Sequence, residues 1–309
     1  MGPDSKPGEP EQPITRAGYV SLIGRPNAGK STLLNHLIGQ KVAAVSDKPQ
    51  TTRTRILGIR TLGNNQFLFV DTPGIHRPGY RMNERMMETV YEAVKGVDVV
   101  VHLVDASESF GKGEQYVLDL LKQGEKPVVL ALNKVDLINK GKLLPMMEFF
   151  SQQKDYAAII PLSALTGENV EGLLDEIGRL LPEGEFLYPA DYLTDQHERF
   201  IVAEIIREKV LSHTREELPY ATAVRLDEFD ESQRDDGFVK IFASIIVDKD
   251  SQKKIVIGRA GQMIKQIGIE ARQDIESFLG IRKLYLDLNV KVVPGWRNLD
   301  QLLDEMWQA

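Results

Sequence analysis

Eight residues, Gly24-Arg25-Pro26-Asn27-Ala28-Gly29-Lys30-Ser31, constrain this chain more than any other stretch. They form the pattern G-x-x-x-x-G-K-S between an apolar run, Tyr19-Val20-Ser21-Leu22-Ile23, and a helical one, Thr32-Leu33-Leu34-Asn35-His36-Leu37. A strand feeding a glycine turn that opens a helix aims consecutive backbone N–H groups, and the positive end of the helix dipole, at an anion. Glycine at each end lets the backbone close around phosphate oxygens. Gly24 through Thr32 are therefore expected to cradle a nucleotide, with Lys30 on the β- and γ-phosphates and the Ser31 hydroxyl on Mg²⁺. A chance lysine in a glycine-containing turn is the bland alternative, and it leaves the filled pattern and its flanks unexplained.

The following segments supply the rest of such a site. Gln40 to Arg55 is polar, lacks periodicity and contains Gln50-Thr51-Thr52-Arg53. A loop with adjacent threonines suits a switch in which one hydroxyl joins the Mg²⁺ shell only when a γ-phosphate is present. Either threonine meets that chemistry, and Thr52, beside Arg53, is favoured. Ile56 to Leu62, a Gly63-Asn64-Asn65 turn and Gln66 to Asp71 read as a β-hairpin. Its second strand ends in Asp71-Thr72-Pro73-Gly74, which puts a carboxylate where α/β sheets bind ligands. Asp71 is expected to hold Mg²⁺ through water and the Gly74 N–H to sense the γ-phosphate, so Lys30, Thr52 and Gly74 form the expected catalytic group. His76 reads as a solvated loop histidine.

Helix and strand then alternate: Asn83 to Lys95 helical, Val97 to Val104 extended, Glu114 to Lys122 helical, Pro127 to Leu132 extended. Alternation implies crossover units, so the fold class expected is α/β, with a mixed, mostly parallel sheet flanked by helices and one antiparallel strand from the hairpin. The strand from Pro127 delivers Asn133-Lys134-Val135-Asp136. A carboxylate at Asp136 can accept from both the ring N–H and the exocyclic amine of guanine, an edge adenine does not present. A site built on such a pair rejects the analogue lacking it by roughly 10⁴ to 10⁵. Ile159 to Pro161 gives a last short strand before Ser163-Ala164-Leu165, a small-residue turn whose N–H groups can meet the guanine carbonyl. Val170 to Leu180 closes the unit as a helix.

Composition bounds the alternatives. A chain of 309 residues, 42% hydrophobic and 27% charged, has room for two cores. It has no cysteine, which removes disulfides, a thiolate nucleophile and sulfur-ligated zinc, and suits a reducing compartment. Its five histidines lack metal-ligand spacing. Met1 to Arg16, rich in Pro, Gly and Glu, reads as a disordered tail rather than a signal peptide. The longest apolar run, Val97 to Val104, is interrupted by Asp98 and His102 and falls short of a membrane span. A net charge of −7 argues against indiscriminate nucleic-acid binding.

Beyond a proline-bounded hinge, Leu181 to Pro189, the pattern changes. Phe200, Ile201, Ala203, Ile205, Ile206, Val210 and Leu211 mark a helix from Glu198 to Ser212. Two β-rich segments follow, Ala221 to Phe229 and Phe238 to Val247, joined by an acidic turn. Then an apolar run enters Gly258-Arg259-Ala260-Gly261 and leaves on a helix near Gln262. Such a G-x-x-G turn is the signature of a KH domain, whose loop clamps the backbone of about four single-stranded nucleotides. Ile267, Ala271, Ile275 and Phe278 mark the second core helix and Lys283 to Val293 the last strand, an order of helix, strand, strand, helix, helix, strand that matches the type II KH arrangement, an α+β fold. From Lys249 to Arg272, six basic residues face two acidic ones in an otherwise negative protein. The expected RNA contacts are Lys253, Lys254, Gly258, Arg259, Ala260, Gly261, Lys265 and Arg272. Trp296 and Trp307 read as packing of a terminal helix on the core.

GRPNAGKS, the switch threonine, DTPG, NKVD and SAL resemble, in order and spacing, GTPases of the Ras-like, translation-factor-related class. A P-loop ATPase or small-molecule kinase leaves Asn133 to Asp136 without a role. One such domain followed by a type II KH domain resembles the Era family of ribosome-assembly GTPases. The likeness runs from Tyr19 to the end and includes IIREK (Ile205 to Lys209), ELPY (Glu217 to Tyr220) and IGIEAR (Ile267 to Arg272). The resemblance implies GTP/GDP with Mg²⁺ as ligands and slow GTP hydrolysis. It also implies binding to the 3′ end of 16S rRNA, a role in small (30S) subunit biogenesis, and a cytoplasmic location with peripheral association at the inner membrane. A monomer with no DNA partner is expected. Ile75 stands where the Ras branch carries a water-orienting glutamine, so a partner or ion is expected to supply charge stabilisation. Asn27, by resemblance to related bacterial GTPases, holds K⁺ beside the phosphates; tolerance of a tight turn is the equal alternative.

The chain is thus read as a tail over 1–16, a GTPase domain over 17–182, a linker over 183–196 and a KH domain over 197–309. In this reading GTP orders the Thr51 to Thr52 loop and the segment after Gly74, and so changes how the domains dock. An RNA-binding assembly factor whose GTP site regulates binding with negligible turnover is the runner-up. An RNA-modification GTPase ranks lower for want of a catalytic cysteine and a second chemistry domain.

Overall fold

The strand that feeds the phosphate loop, β1 (Arg16–Gly24), lies inside a six-stranded sheet of order β2-β3-β1-β4-β5-β6. Its neighbours are β2 (Ile56–Leu62), β3 (Asn65–Asp71), β4 (Val99–Asp105), β5 (Val128–Asn133) and β6 (Ala158–Pro161). Only β2 runs antiparallel, paired to β3 through the two-residue turn at Gly63 and Asn64. The computed structural model describes residues 14–48, 51–74, 80–215 and 218–307. β4 is buried along both faces up to its last residue, as befits a central parallel strand.

Alternation along each strand divides the core. Val20, Leu22, Phe67, Phe69, Val101 and Leu103 pack with Leu33, Leu34 and Leu37 of α1 (Lys30–Ile38) and with Leu173, Leu174 and Ile177 of α5 (Val170–Leu180). Ile23, Leu68, Val70 and Val100 point the other way, against Met87 and Val90 of α2 (Arg81–Lys95) and Val117 and Leu121 of α3 (Lys112–Leu121). Helices on both faces leave the carboxyl ends of the strands as the open edge. A further helix, α4 (Leu143–Ser151), escapes the periodic reading because Leu143-Leu144-Pro145-Met146-Met147 is apolar without a period, and only Phe150 in it is buried.

The second half packs α6 (Glu198–His213), a short α7 (Leu218–Ala221), α8 (Asp250–Ile257) and α9 (Gln262–Leu279) on a sheet of order β7-β8-β9. β7 (Thr222–Asp230) is antiparallel to β8 (Phe238–Val247), and β9 (Lys283–Val292) is parallel to β8. A parallel pair needs a long crossover, which α8, the G-x-x-G turn and α9 provide. Ile267, Ala271, Ile275 and Leu279 form the buried stripe of α9, which stops where Gly280 turns left-handed (φ 64°) and donates its N–H to the Glu276 carbonyl. A terminal α10 (Asp300–Trp307) follows Trp296, which is fully buried and donates its indole N–H to the Ala221 carbonyl at 3.0 Å. Packing is thus its role, as expected; the Trp307 side chain lies outside the described residues.

The tail ends earlier than expected: Arg16 already belongs to β1 and donates to the Leu181 carbonyl, and the Thr15 hydroxyl donates to Gly184; residues 1–13 lie outside those described. Segment 183–196, read as the linker, is held along β2 and β3. The Gln66 side chain binds the Leu187 and Tyr188 N–H groups, Ile59 N–H donates to Leu193, and the Thr194 hydroxyl to Leu57. β2 is an edge strand with unpaired backbone groups, and this segment satisfies them. None of the described helices is long and apolar enough to cross a membrane.

Candidate functional site

The phosphate loop joins β1 to α1, and its middle is held by two other segments, the one between α1 and β2 and the one after β3. Asn27 adopts a left-handed turn (φ 64°) and ties its amide to the Asp47 carbonyl at 2.7 Å. Gly74 presses on the loop so closely that a Cβ there would stand 2.7 Å from Pro26 Cα, so DTPG can end only in glycine. Between these walls lies a cleft of about 650 Å³, lined by Arg25 to Thr32, Ala44 to Asp47, Thr51, Thr52, Gly74, Asp105 and Lys134 among others.

At its floor three oxygen groups from separate segments meet. The Ser31 hydroxyl donates to Asp71 Oδ2 at 2.7 Å and lies 2.8 Å from the Thr52 hydroxyl, which in turn donates to the same carboxylate at 3.2 Å. Thr51 turns away, donating to the Lys48 carbonyl at 2.6 Å, which decides between the two threonines in favour of Thr52 as the one that reaches this cluster. The second oxygen of Asp71 is buried without a hydrogen-bond partner. Two hydroxyls and a carboxylate with an open lone pair form a hard-oxygen set that fits Mg²⁺. Lys30 sits beside it, 6% exposed, its ammonium donating to the Arg25 carbonyl at 3.1 Å and the Gly24 carbonyl at 3.3 Å. Burial pushes the Lys30 ammonium below its ordinary value, against the pull of Asp71 and Glu114, and pushes the Asp71 carboxyl up. Both groups are thus held in a desolvated state that an added metal and phosphate would relieve.

On the base side, Asn133 is buried and bridges two loops: its amide donates to the Ala28 carbonyl and its oxygen accepts the Ala164 N–H, each at 2.8 Å. It therefore acts as a strut between the phosphate loop and the Ser163-Ala164-Leu165 turn. Lys134 is left-handed (φ 65°) and pairs with Asp105 at 2.6 Å. Asp136 and Leu165 are exposed beyond the cleft, Ser163 is buried beside the strut, and Thr72 donates to the Leu22 carbonyl under Pro73. Sequence reasoning missed Asp105, whose carboxyl burial would raise but which Lys134 and Ser107 hold below the usual range. It also missed Glu114, buried at the cleft wall and bonded to His102 Nε2 at 2.7 Å. Asp105 ends β4, the position that could have flagged it, whereas Glu114 lies in the first turn of α3. Ile75 and His76 lie outside the described residues.

The second turn is built differently. Gly258 (φ 75°), Ala260 (φ 49°) and Gly261 (φ 75°) carry the chain from α8 into α9, with Arg259 and Ala260 exposed. Lys253 and Lys254 lie in the middle of α8 and Lys265 in the first turn of α9. None of these lysines, nor Arg259, enters an ion pair among the described residues. Ile255 and Ile269 offer exposed apolar surface beside them. Arg272 stands apart, about 15 Å further along the helix axis and half-buried.

Comparison with known proteins accords with both sites. Residues 19–134 match the family described as 50S ribosome-binding GTPase and residues 217–297 match the KH domain. GTPase Era of Geobacter metallireducens is 47% identical over 291 residues, covering 94% of this chain and 97% of that one. GTPase Era of Geotalea daltonii is 48% identical over 94% of this chain and 96% of its own length. Among solved structures, Era in complex with MgGDPNP and nucleotides 1506–1542 of 16S ribosomal RNA matches with a TM-score of 0.90 and 39% identity, over 94% of this chain and 98% of that one. A variant of Aquifex aeolicus Era bound to GDP·AlF4⁻ matches with a TM-score of 0.90 and 38% identity, over 94% and 99%.

Proposed function

The chain belongs to the Era family of GTPases, and from that premise we propose a GTP-driven RNA switch for assembly of the small ribosomal subunit, gripping the 3′ end of 16S rRNA through its KH half. The single observation that carries the reading is the meeting of Ser31, Thr52 and Asp71 at one point beside the buried Lys30. These three residues would hold Mg²⁺. Bound there, the metal would supply neutralisation of the charge that develops on the phosphates. Lys30 exchanges its loop carbonyls for phosphate oxygens, and the Gly74 N–H faces the γ-phosphate. Asp136 reads guanine, with Asn133 and Ser163 to Leu165 shaping the pocket. Arg259 and the nearby lysines contact RNA phosphates. Hydrolysis is slow until RNA or the subunit engages, and the site of action is the cytoplasm. Asn27 serves K⁺ in this reading; equal rates in K⁺ and Na⁺ would leave it only its turn and its bond to Asp47.

GTP hydrolysis in K⁺ buffer, with and without single-stranded RNA of the 16S 3′ end, tests the proposal beside Arg259→Glu. Stimulation by RNA that the variant loses is the expected result. A rate indifferent to RNA, with RNA affinity equal in GTP analogue and GDP, would overturn the switch, since a ligand without differential affinity shifts nothing.

A further inference from the structure

Arg53 follows Thr52 directly, yet its side chain leaves the nucleotide half of the molecule. The buried guanidinium donates Nη1 to the Thr222 carbonyl at 2.7 Å and Nη2 to the Pro219 carbonyl at 3.0 Å, and lies 5.6 Å over the ring of Trp296. On the other side of Thr52, the Thr51 carbonyl accepts a hydrogen bond from Arg207 Nη2 of α6, whose Nε is held by Glu204 at 2.7 Å. Earlier in the same loop, Glu208 of α6 binds the Val45 N–H at 2.8 Å and the Lys41 ammonium at 2.6 Å. Both neighbours of Thr52 are thus gripped by the KH half while its hydroxyl rests among Ser31 and Asp71. With consecutive Cα atoms about 3.8 Å apart, a residue clamped on both sides has little room to place its side chain elsewhere.

We propose that Arg53 and Arg207 are positioning residues for GTP, and that the KH half is the platform that presents Thr52 to the metal site. Trp296 extends the platform: it shares one buried cluster with Met82 and Met86 of α2, so Arg53 and that helix rest against the same indole. Three ion pairs fix that helix to α10, Arg81 with Asp300 at 2.6 Å and Arg85 with Asp300 at 2.8 Å and Asp304 at 2.7 Å. GTP selectivity and docking of the two halves are then one equilibrium, and by linkage any ligand that loosens docking weakens GTP relative to GDP. The inference rests on the Mg²⁺ reading of Ser31, Thr52 and Asp71.

The test measures the affinities of a non-hydrolysable GTP analogue and of GDP for the full chain at fixed Mg²⁺, with thermal stability alongside. Arg207→Met keeps most of the volume but leaves Glu204 and the Thr51 carbonyl without this partner, so some loss of thermal stability is expected, which the thermal measurement reads apart from the two affinities. GDP affinity should hold while analogue affinity falls about tenfold. Arg53→Lys keeps a cation but cannot span two carbonyls, and should give the same split. Thr52→Ala sets the full size of the effect, and adding Arg207→Met to it should lower the ratio no further. An unchanged analogue-to-GDP ratio in a stable Arg207→Met protein overturns the platform. An unchanged ratio in Thr52→Ala overturns the metal reading itself, and the platform with it.

Discussion

Gly29 and Gly261 close two turns proposed to meet phosphate, and their surroundings are opposite. Around Gly29 (φ 98°) the protein is full: a Cβ would run into the Asn133 amide, the next residue is the buried Lys30, and strands stand behind. Around Gly261 (φ 75°) a Cβ would meet nothing within 4 Å, and Ala260 beside it already carries a Cβ at positive φ. The difference follows from the ligands. A nucleotide is one compact anion with fixed edges, so buried, mutually braced polar groups can be matched to it, and a mismatch leaves them unpaired. A single strand is a mobile polymer held by many weak contacts, and an exposed turn with long cations follows it.

If the comparison is right, damage at the first turn is severe and at the second graded. Gly29→Ala should be the harshest change, displacing Asn133 and the loop together and lowering GTP turnover at least about a hundredfold. A mild effect on turnover would mean that the loop relaxes far more than its packing suggests. Asn133→Ala comes next: it orphans the Ala28 carbonyl and the Ala164 N–H, at a cost of about 1–3 kcal/mol for each buried group left unpaired, read as a fall in nucleotide affinity and in thermal midpoint. Gly261→Ala should cost about 1–2 kcal/mol of local strain and leave nucleotide turnover untouched, which hydrolysis assays without RNA would show. Lys254→Ala is smaller still, weakening RNA binding evenly across sequences and lowering the slope of log affinity against log salt by about 1.

The smallest effect falls between the two turns. Asp274 of α9 pairs with Lys209 at 2.6 Å and with Lys41, just after α1, at 2.8 Å. Burial opposes ionisation of this carboxyl, and the two lysines outweigh it, holding it below the usual carboxylate range. A depressed folded-state value means that the ionised pair stabilises the fold above the unfolded value of about 3.9, and that this contribution is lost as pH falls through the folded value. Asp274→Asn should therefore flatten the acid limb of the thermal midpoint below about pH 4 and change little at neutrality. An unchanged acid limb would remove this ion pair from the docking of the two halves.

Most of the fold was legible in the chain because most of it is written locally. The hairpin from Ile56 to Asp71, the helix from Val170 to Leu180 and the strand from Phe238 to Val247 appear where pattern and turn residues place them. The helix over Leu143 to Ser151 was not legible, because a run apolar on every side has no face to read. Within the site, the phosphate loop, DTPG and NKVD were visible as motifs, whereas Asp105 and Glu114 carry no motif and were brought in by the end of β4 and the first turn of α3.

What the sequence alone determined is therefore the place of two glycine turns and the order of elements around them, since period, glycine and capping residues act within a few positions. What only the tertiary structure decided is which threonine reaches the Ser31 and Asp71 cluster, that segment 183–196 seals the β2 edge, and that Arg53 is anchored in the other half of the molecule. Arg53 and Thr222 are 169 residues apart, and a hydrogen bond between a guanidinium and a backbone carbonyl leaves no trace in periodicity, because any residue supplies the carbonyl.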